Sequence, residues 1–226
     1  MPEDWILGIE STAPRGSLVL VRGDEEVAST EIEARPNHSA VLGPALAEVL
    51  AALPDGARLA EIVVATGPGS YNGARVGIAA GQGAALVHGC ATVGIPSLEA
   101  VAEVRSGRPA LAVGDARRAS FFAVPLDQGM IAGAAELMAA AEFEERVRGA
   151  VAEGRWVFSL EEPERLPLPA DLAGEVDLAT PEARLAVAAW SDRSRDERER
   201  LRQIPPQPYY LRPPHITKAK ARRSGS

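Results

Sequence analysis

Two short apolar runs, residues 5–9 and 17–21, stand seven residues apart near the start of the chain, and a third, 26–32, follows the tight Arg22-Gly23-Asp24-Glu25 turn. Runs this short, bounded by turn residues, read as an antiparallel meander of three strands. A helix follows, with apolar residues at Val41, Leu42, Ala45, Leu46, Val49, Leu50 and Leu53. Asn37 or Ser39 caps its start and Pro54-Asp55-Gly56 ends it. Residues 61–66 are rich in β-branched side chains and form a buried strand. The Gly67-Pro68-Gly69-Ser70 turn then leads to a helix over 73–88, a strand over 91–95 and a short helix with Ser97 as its cap. This order predicts an α/β unit, a mixed sheet covered by helices.

The opening repeats. Residues 111–115 and 119–124 again form two apolar runs, joined by Ala116-Arg117-Arg118, so the chain reads as an internal duplication whose second copy is less regular. Alanine-rich helices are expected near 134–141 and over 142–148, and a strand over 155–158. Thr180-Pro181-Glu182 has the cap, first-turn proline and acid of a helix start leading into 185–190.

At 226 residues the chain fits one large domain or two small ones, and 46% hydrophobic against 24% charged residues gives it a core to bury. Aromatics at 4% argue against a stacking platform for single-stranded nucleic acid. The last sixteen residues hold Arg212, Lys218, Lys220, Arg222 and Arg223 with no acid, leaving 19 basic against 31 acidic residues before them, a charge of −12. Such a body repels nucleic acid, so any RNA contact falls to the tail or to a partner. The single cysteine, Cys90, and the acidic Met1-Pro2-Glu3-Asp4 start lead us to expect a cytoplasmic protein. The uncharged stretch 76–98 carries five glycines, Gln82, His88 and Pro96, and is not expected to span a membrane.

Familiar catalytic motifs are missing. The only lysines, Lys218 and Lys220, lie outside any phosphate-loop pattern, and there is no dinucleotide fingerprint, nucleophile elbow or paired-histidine zinc motif. Two glycine- and hydroxyl-rich turns remain. In Glu10-Ser11-Thr12, amides and hydroxyls could meet phosphate oxygens with the acid holding a hydrated Mg²⁺, or the hydroxyls could satisfy their own backbone. Gly67 and Gly69 suit close approach of an anion or of another stretch of backbone. The helix that follows holds Gly77, Gly81 and Gly83, which together cost it roughly 3 kcal/mol relative to alanine. A stripe of Gly73, Gly77, Gly81 and Ala84 or Ala85 offsets this by letting another helix approach closely, either one of the same chain or one from another subunit.

Taken in order, Ile6-Leu7-Gly8-Ile9-Glu10-Ser11-Thr12, Asn37-His38-Ser39, Gly67 to Gly77, Pro96-Ser97-Leu98-Glu99-Ala100, Asp115-Ala116-Arg117-Arg118 and Tyr209-Tyr210-Leu211-Arg212 resemble the TsaB, or YeaZ, family. The resemblance implies two actin-like, ribonuclease H-like lobes with mixed sheets, the second smaller and degenerate, over residues 1–105 and 106–200, with a C-terminal segment and basic tail over 201–226. It implies a non-catalytic subunit that scaffolds a TsaD-type threonylcarbamoyltransferase in making threonylcarbamoyladenosine in tRNA. The catalytic relative holds metal partly through a His-x-x-x-His pair, whereas here His38 is followed four residues later by Leu42, so neither a metal site nor a catalytic residue is expected.

The implied partners are the TsaD-type subunit, a TsaE-type ATPase, a second copy of the chain when alone, and tRNA indirectly, with no membrane. The implied interface draws on His38, Val41, Ala45, Arg75, Gly77, Gly81 and Ala84. Residual nucleotide contacts would involve Glu10, Ser11, Thr12, Gly67, Gly69 and Asp115. No cofactor of its own is expected, ATP or ADP entering at the partner interface. The competing expectation is an independent actin-like ATPase, kinase or metal peptidase built on Glu10, Ser11, Thr12 and Asp115.

Overall fold

Strand β1 (Trp5–Glu10) is central because both of its faces are apolar: Leu7 and Ile9 enter one core layer, Ile6 the opposite one. The computed structural model describes residues 4–33 and 38–211. β2 (Arg15–Arg22) and β3 (Glu25–Glu33) complete the expected meander. After α1 (His38–Leu50), β4 (Leu59–Ala65) returns parallel to β1. After α2 (Tyr71–His88), β5 (Ala91–Ile95) lies parallel to β4. The sheet order is β3-β2-β1-β4-β5. The Asn37 and Ser39 caps and the His38 side chain lie outside the described residues.

A 3₁₀ turn (Ser97–Glu99) and α3 (Ala102–Arg105) lead to β6 (Ala110–Asp115) and β7 (Phe121–Asp127), an antiparallel pair. Next come β8 (Met130–Ile131), β9 (Glu136–Met138), α4 (Ala140–Ala152), β10 (Trp156–Ser159), α5 (Ala170–Ala173) and β11 (Val176–Leu178). The second sheet runs β11-β10-β6-β7-β8, with β9 also on β7. Read from its other edge, this is the order of the first sheet, with the third strand split in two and the long α2 reduced to the single turn of α5. The duplication is therefore present in topology, and its second copy is degenerate. Alternation is strict: Ala110 and Ala112 join one core layer while Leu111 and Val113 join the other, so helical segments must cover both faces.

Local expectations fail in three places. The alanine-rich segment expected as a helix over 134–141 is strand β9 at its centre, because Phe121 to Ala123 of β7 pair with Glu136 to Met138, and pairing overrides alanine's helix preference. The helices expected over 134–141 and 142–148 are replaced by one, α4. Of the last two helices, α6 (Ala183–Ser191) and α7 (Arg195–Arg202), the first begins later than the Thr180 cap predicts: Ser17 Oγ of β2 accepts the Ala183 amide at 2.9 Å. That cap comes from the other end of the chain, where no local pattern reveals it.

α6 also departs from the expected boundary. It lies within 106–200 yet packs on the first sheet, Ala183, Ala186, Val187 and Trp190 meeting Val19, Val63, Val93 and Ile95. Gly8 permits this approach, since a Cβ there would stand 2.8 Å from both Ala183 O and Val187 Cγ2. The buried Glu61 carboxylate of β4 receives Trp190 Nε1 and the Arg202 guanidinium, tying α6 and α7 to the first lobe. α1 and α2 cover the opposite face of that sheet. Among the described residues no helix is long and apolar enough to cross a membrane.

Candidate functional site

A cleft of about 570 Å³ opens between the lobes. Its first-lobe wall is the end of β1 with the glycine turn, its second-lobe wall is the 115–117 turn with Ser159 and Glu161, and residues 208–211 close one side. Of the sequence-derived nucleotide residues, Thr12, Gly69 and Asp115 line this cleft and Glu10, Ser11 and Gly67 do not, and most of the six are already committed. Glu10 is fully buried: its carboxylate accepts the Thr12 amide on one oxygen and Ser97 Oγ, at 2.8 Å, on the other. Ser97 Oγ also receives the Gly67 amide at 3.0 Å and lies 2.9 Å from Thr12 Oγ1. Ser97 was expected to cap a helix; it is instead the junction that joins the two turns, and the 3₁₀ segment after Pro96 has no side-chain cap. Ser11 Oγ donates to Gly73 O at 2.9 Å.

The glycine turn serves the close approach of backbone to backbone. Ser70 N donates to Thr12 O at 2.7 Å, and a Cβ on Gly69 would sit 2.6 Å from that same oxygen. The Gly73 amide goes to Ser70 Oγ and the Ala74 amide to Ser70 O. The Gly67, Ser70, Gly73 and Ala74 amides are occupied, so among the described residues the turn keeps only the Gly69, Tyr71 and Asn72 amides without an acceptor, and Glu10 has no face on the cleft for a hydrated ion. Among the described residues no group of three or more His, Cys, Asp and Glu could hold a metal ion.

Burial holds the Glu10 carboxyl above the usual carboxylate range, although hydrogen bonds from Thr12, Ser97 and Ala13 pull the other way. A carboxyl raised on folding retains its proton in the native state when the unfolded chain has lost it. Native stability from this group is therefore full below the unfolded value of 4.5 and falls as pH rises from there through the folded value. Melting curves across pH 4 to 8 should show the Glu10→Gln variant with a flatter pH dependence than the parent; parallel curves would remove Glu10 as the cause.

Asp115, on the opposite wall, accepts Arg117 N at 2.6 Å and Arg117 Nη1 at 3.0 Å. It thereby holds a turn in which Arg117, Arg118 and Ala119 all take left-handed φ, 68°, 57° and 55°. Three consecutive non-glycine residues in that region cost about 1–2 kcal/mol each. Glu161 joins this wall, accepting the Asp115 amide at 2.6 Å. Glu161, Tyr71, Tyr209 and Tyr210 were not among the sequence-derived site residues; the three tyrosines stood only in motifs, and nothing local marked Glu161.

The residues expected to form an interface mostly face inward. Ala45 and Ala84 lie in the first lobe's own core and Val41 packs against it. A Cβ on Gly81 would stand 2.6 Å from Val64 Cγ1, and one on Gly77 would collide with Ser11 Oγ. The small-residue stripe therefore lets α2 lie close on its own sheet rather than on a helix of another subunit. Leu42, standing where a second metal-ligating histidine was sought, is a core residue. Arg75 is exposed. The outward face of α2 presents Ala79, Gln82, Gly83, Leu86 and Val87, with Leu86 at 86% and Val87 at 78% exposure and open space beyond Gly83. Gly43 and Ala47 are exposed on α1 alongside. The available signal was that α2 carries only Arg75 and Gln82 as long polar side chains between Ala74 and Val87, so it is apolar on two faces.

Gly81→Leu is consequently expected to unsettle the fold itself, by roughly 1–3 kcal/mol or more, as Val64 must move. Urea denaturation checks this; an unchanged midpoint would mean that α2 sits farther from the sheet than described.

The model of the family described as "TsaD: tRNA N6-adenosine threonylcarbamoyltransferase" matches residues 27–145, more than half of the chain. The chain belongs to this family. Its fold is similar to that of "an uncharacterized protein with similarity to peptidase YEAZ from Pseudomonas aeruginosa", with TM-score 0.67 and 20% identity over 92% of this chain and 100% of that one. It is also similar to "YeaZ from Pseudomonas aeruginosa", with TM-score 0.60 and 21% identity over 83% and 91% of the two chains. No curated protein matches. The two-lobed, mixed-sheet arrangement is that of these YeaZ structures, and family membership associates the chain with synthesis of threonylcarbamoyladenosine in tRNA.

Proposed function

We propose that this chain is a non-catalytic subunit that docks on a TsaD-type catalytic partner and stabilises it for threonylcarbamoyl transfer to tRNA. The observation that carries the reading is the outer face of α2, where Leu86 and Val87 stand almost fully in solvent beside small residues. Large exposed aliphatic side chains next to open glycine positions suit a helix-on-helix contact, and two helices can supply the roughly 800 Å² per partner of a stable interface. Two further features favour a supporting role: the turns that would cradle a phosphate spend several of their donors on each other, and Glu10 is enclosed. In this reading any nucleotide sits at the partner interface, a TsaE-type ATPase joins the assembly, tRNA is met through the partner, and a second copy covers the same face when the chain is alone.

Reconstitution tests it. The purified chain alone should leave tRNA unmodified, and modification should appear when the TsaD-type and TsaE-type proteins, ATP and the threonylcarbamoyl donor are added. Activity of the partners undiminished by omitting this chain would refute the scaffold role, and modification by this chain alone would refute its being non-catalytic.

A further inference from the structure

The cleft between the lobes lies apart from the docking face, and its chemistry differs from that of a polyphosphate site. Its first-lobe turn has spent the Gly67, Ser70, Gly73 and Ala74 amides, no lysine occurs before the tail, and Arg117 is committed to Asp115 through both backbone and side chain. The half-buried Glu161 stands opposite. One of its oxygens holds the Asp115 amide, while among the described residues the other has no partner and no cation pairs with it. Apolar and aromatic surface shares the cleft lining with this carboxylate, contributed by Phe122, Leu160 and the strap after α7.

The strap is built in. Tyr209 N donates to Thr66 O at 2.8 Å, Tyr210 lies with its ring 5.7 Å from that of Tyr71, and Leu211 packs on the second lobe's core. Tyr71 already carries a guanidinium on one side, Arg75 Cζ lying 5.3 Å from the ring centre, so these rings stand in a setting that favours a cation on their faces.

We propose that the cleft binds a small organic cation, a guanidinium or ammonium group on an apolar body, with Glu161 accepting the charged head and the Tyr71–Tyr210 pair flanking the stem. A cation recovers a charge-assisted hydrogen bond at a carboxylate already part-desolvated, whereas a polyphosphate would bring its charge against Asp115 and Glu161 with only the Gly69, Tyr71 and Asn72 amides of the turn left to meet it. The volume is ample for such a ligand.

Agmatine is the probe, titrated into the ¹⁵N-labelled full-length chain. Saturable shifts should cluster on 115–120, 159–161 and the Tyr71 and Tyr210 amides, with dissociation in the millimolar range or tighter. Glu161→Gln keeps an acceptor for the Asp115 amide and should weaken agmatine at least tenfold without changing the melting temperature; Tyr210→Ala should weaken it several-fold. ADP should cause no comparable shifts in this cleft. Absence of saturation, shifts centred elsewhere, unchanged affinity in Glu161→Gln, or ADP binding here as well as agmatine would each overturn the proposal. None of these outcomes bears on the docking face, so this proposal and the scaffold reading fail separately.

Discussion

Replacing Leu86 and Val87 together by aspartate is expected to abolish co-purification with a TsaD-type partner while leaving the melting curve within a degree or two of the parent. Both side chains are so exposed that the folded chain gains almost nothing from them, 86% and 78% being close to the unfolded limit. Their cost falls only on a complex that buries them. Two carboxylates placed in such a contact lose hydration without gaining a partner, and a well-buried interface position is worth roughly 2–4 kcal/mol, some 30- to 1,000-fold in affinity. Size-exclusion with light scattering on the same variant should report a monomer wherever the parent self-associates. Retained co-purification of a folded double variant would show that the partner uses another surface. Gly81→Leu cannot serve this purpose, because it acts first on the contact between α2 and Val64.

The largest loss of stability is expected from Arg193→Ala. Arg193 and Glu99 form an ion pair with side chains only 8% and 4% exposed. Glu99 follows β5 at the passage between the lobes and also accepts the Ile131 amide of the second lobe at 3.1 Å, while Arg193 follows α6 on the first. Removing the guanidinium leaves a buried carboxylate without its counter-charge, which costs about 3–5 kcal/mol. Burial already pushes the Glu99 carboxyl up despite the pull of Arg193, so the variant has a route of relief: protonation. The deficit should therefore shrink as pH is lowered towards the carboxylate range and be largest near neutrality, as read by urea denaturation at pH 5 and pH 8. A deficit independent of pH would mean that lost packing rather than stranded charge is responsible. Arg105 makes a parallel link at this passage, bonding Gly129 O at 2.8 Å and pairing with Asp192, so the lobes are joined by charge on one side and by the tyrosine strap on the other.

Much of the architecture was legible from periodicity. Short β-branched runs bounded by turns are strands whatever surrounds them, and a repeat of that opening after Ala110 implied the second sheet that is found. The glycine turn was legible as a place of close approach. What it approaches was not: the choice between an anion and Thr12 O depends on where β1 ends relative to β4, and only the parallel pairing of those strands sets that. The Ser17 cap on α6 and the junction at Ser97 share this property, since each joins residues far apart in sequence.

By itself the sequence determined which segments must be strands, which helices carry apolar stripes, and that the chain is an α/β duplication, because those properties follow from local alternation and from composition. Tertiary structure decided which side of α2 is inside. Leu86 is more hydrophobic than Ala84, so side-chain character alone would not put the Ala84 face inside, and both faces of that helix could seek burial. The missing side chains at Gly77 and Gly81 allow the closer approach to the sheet, so the sheet takes that face and leaves Leu86 and Val87 outside. The same assembly enclosed Glu10 and left Glu161 on the cleft wall, since a carboxylate's availability depends on which donors the folded chain brings to it.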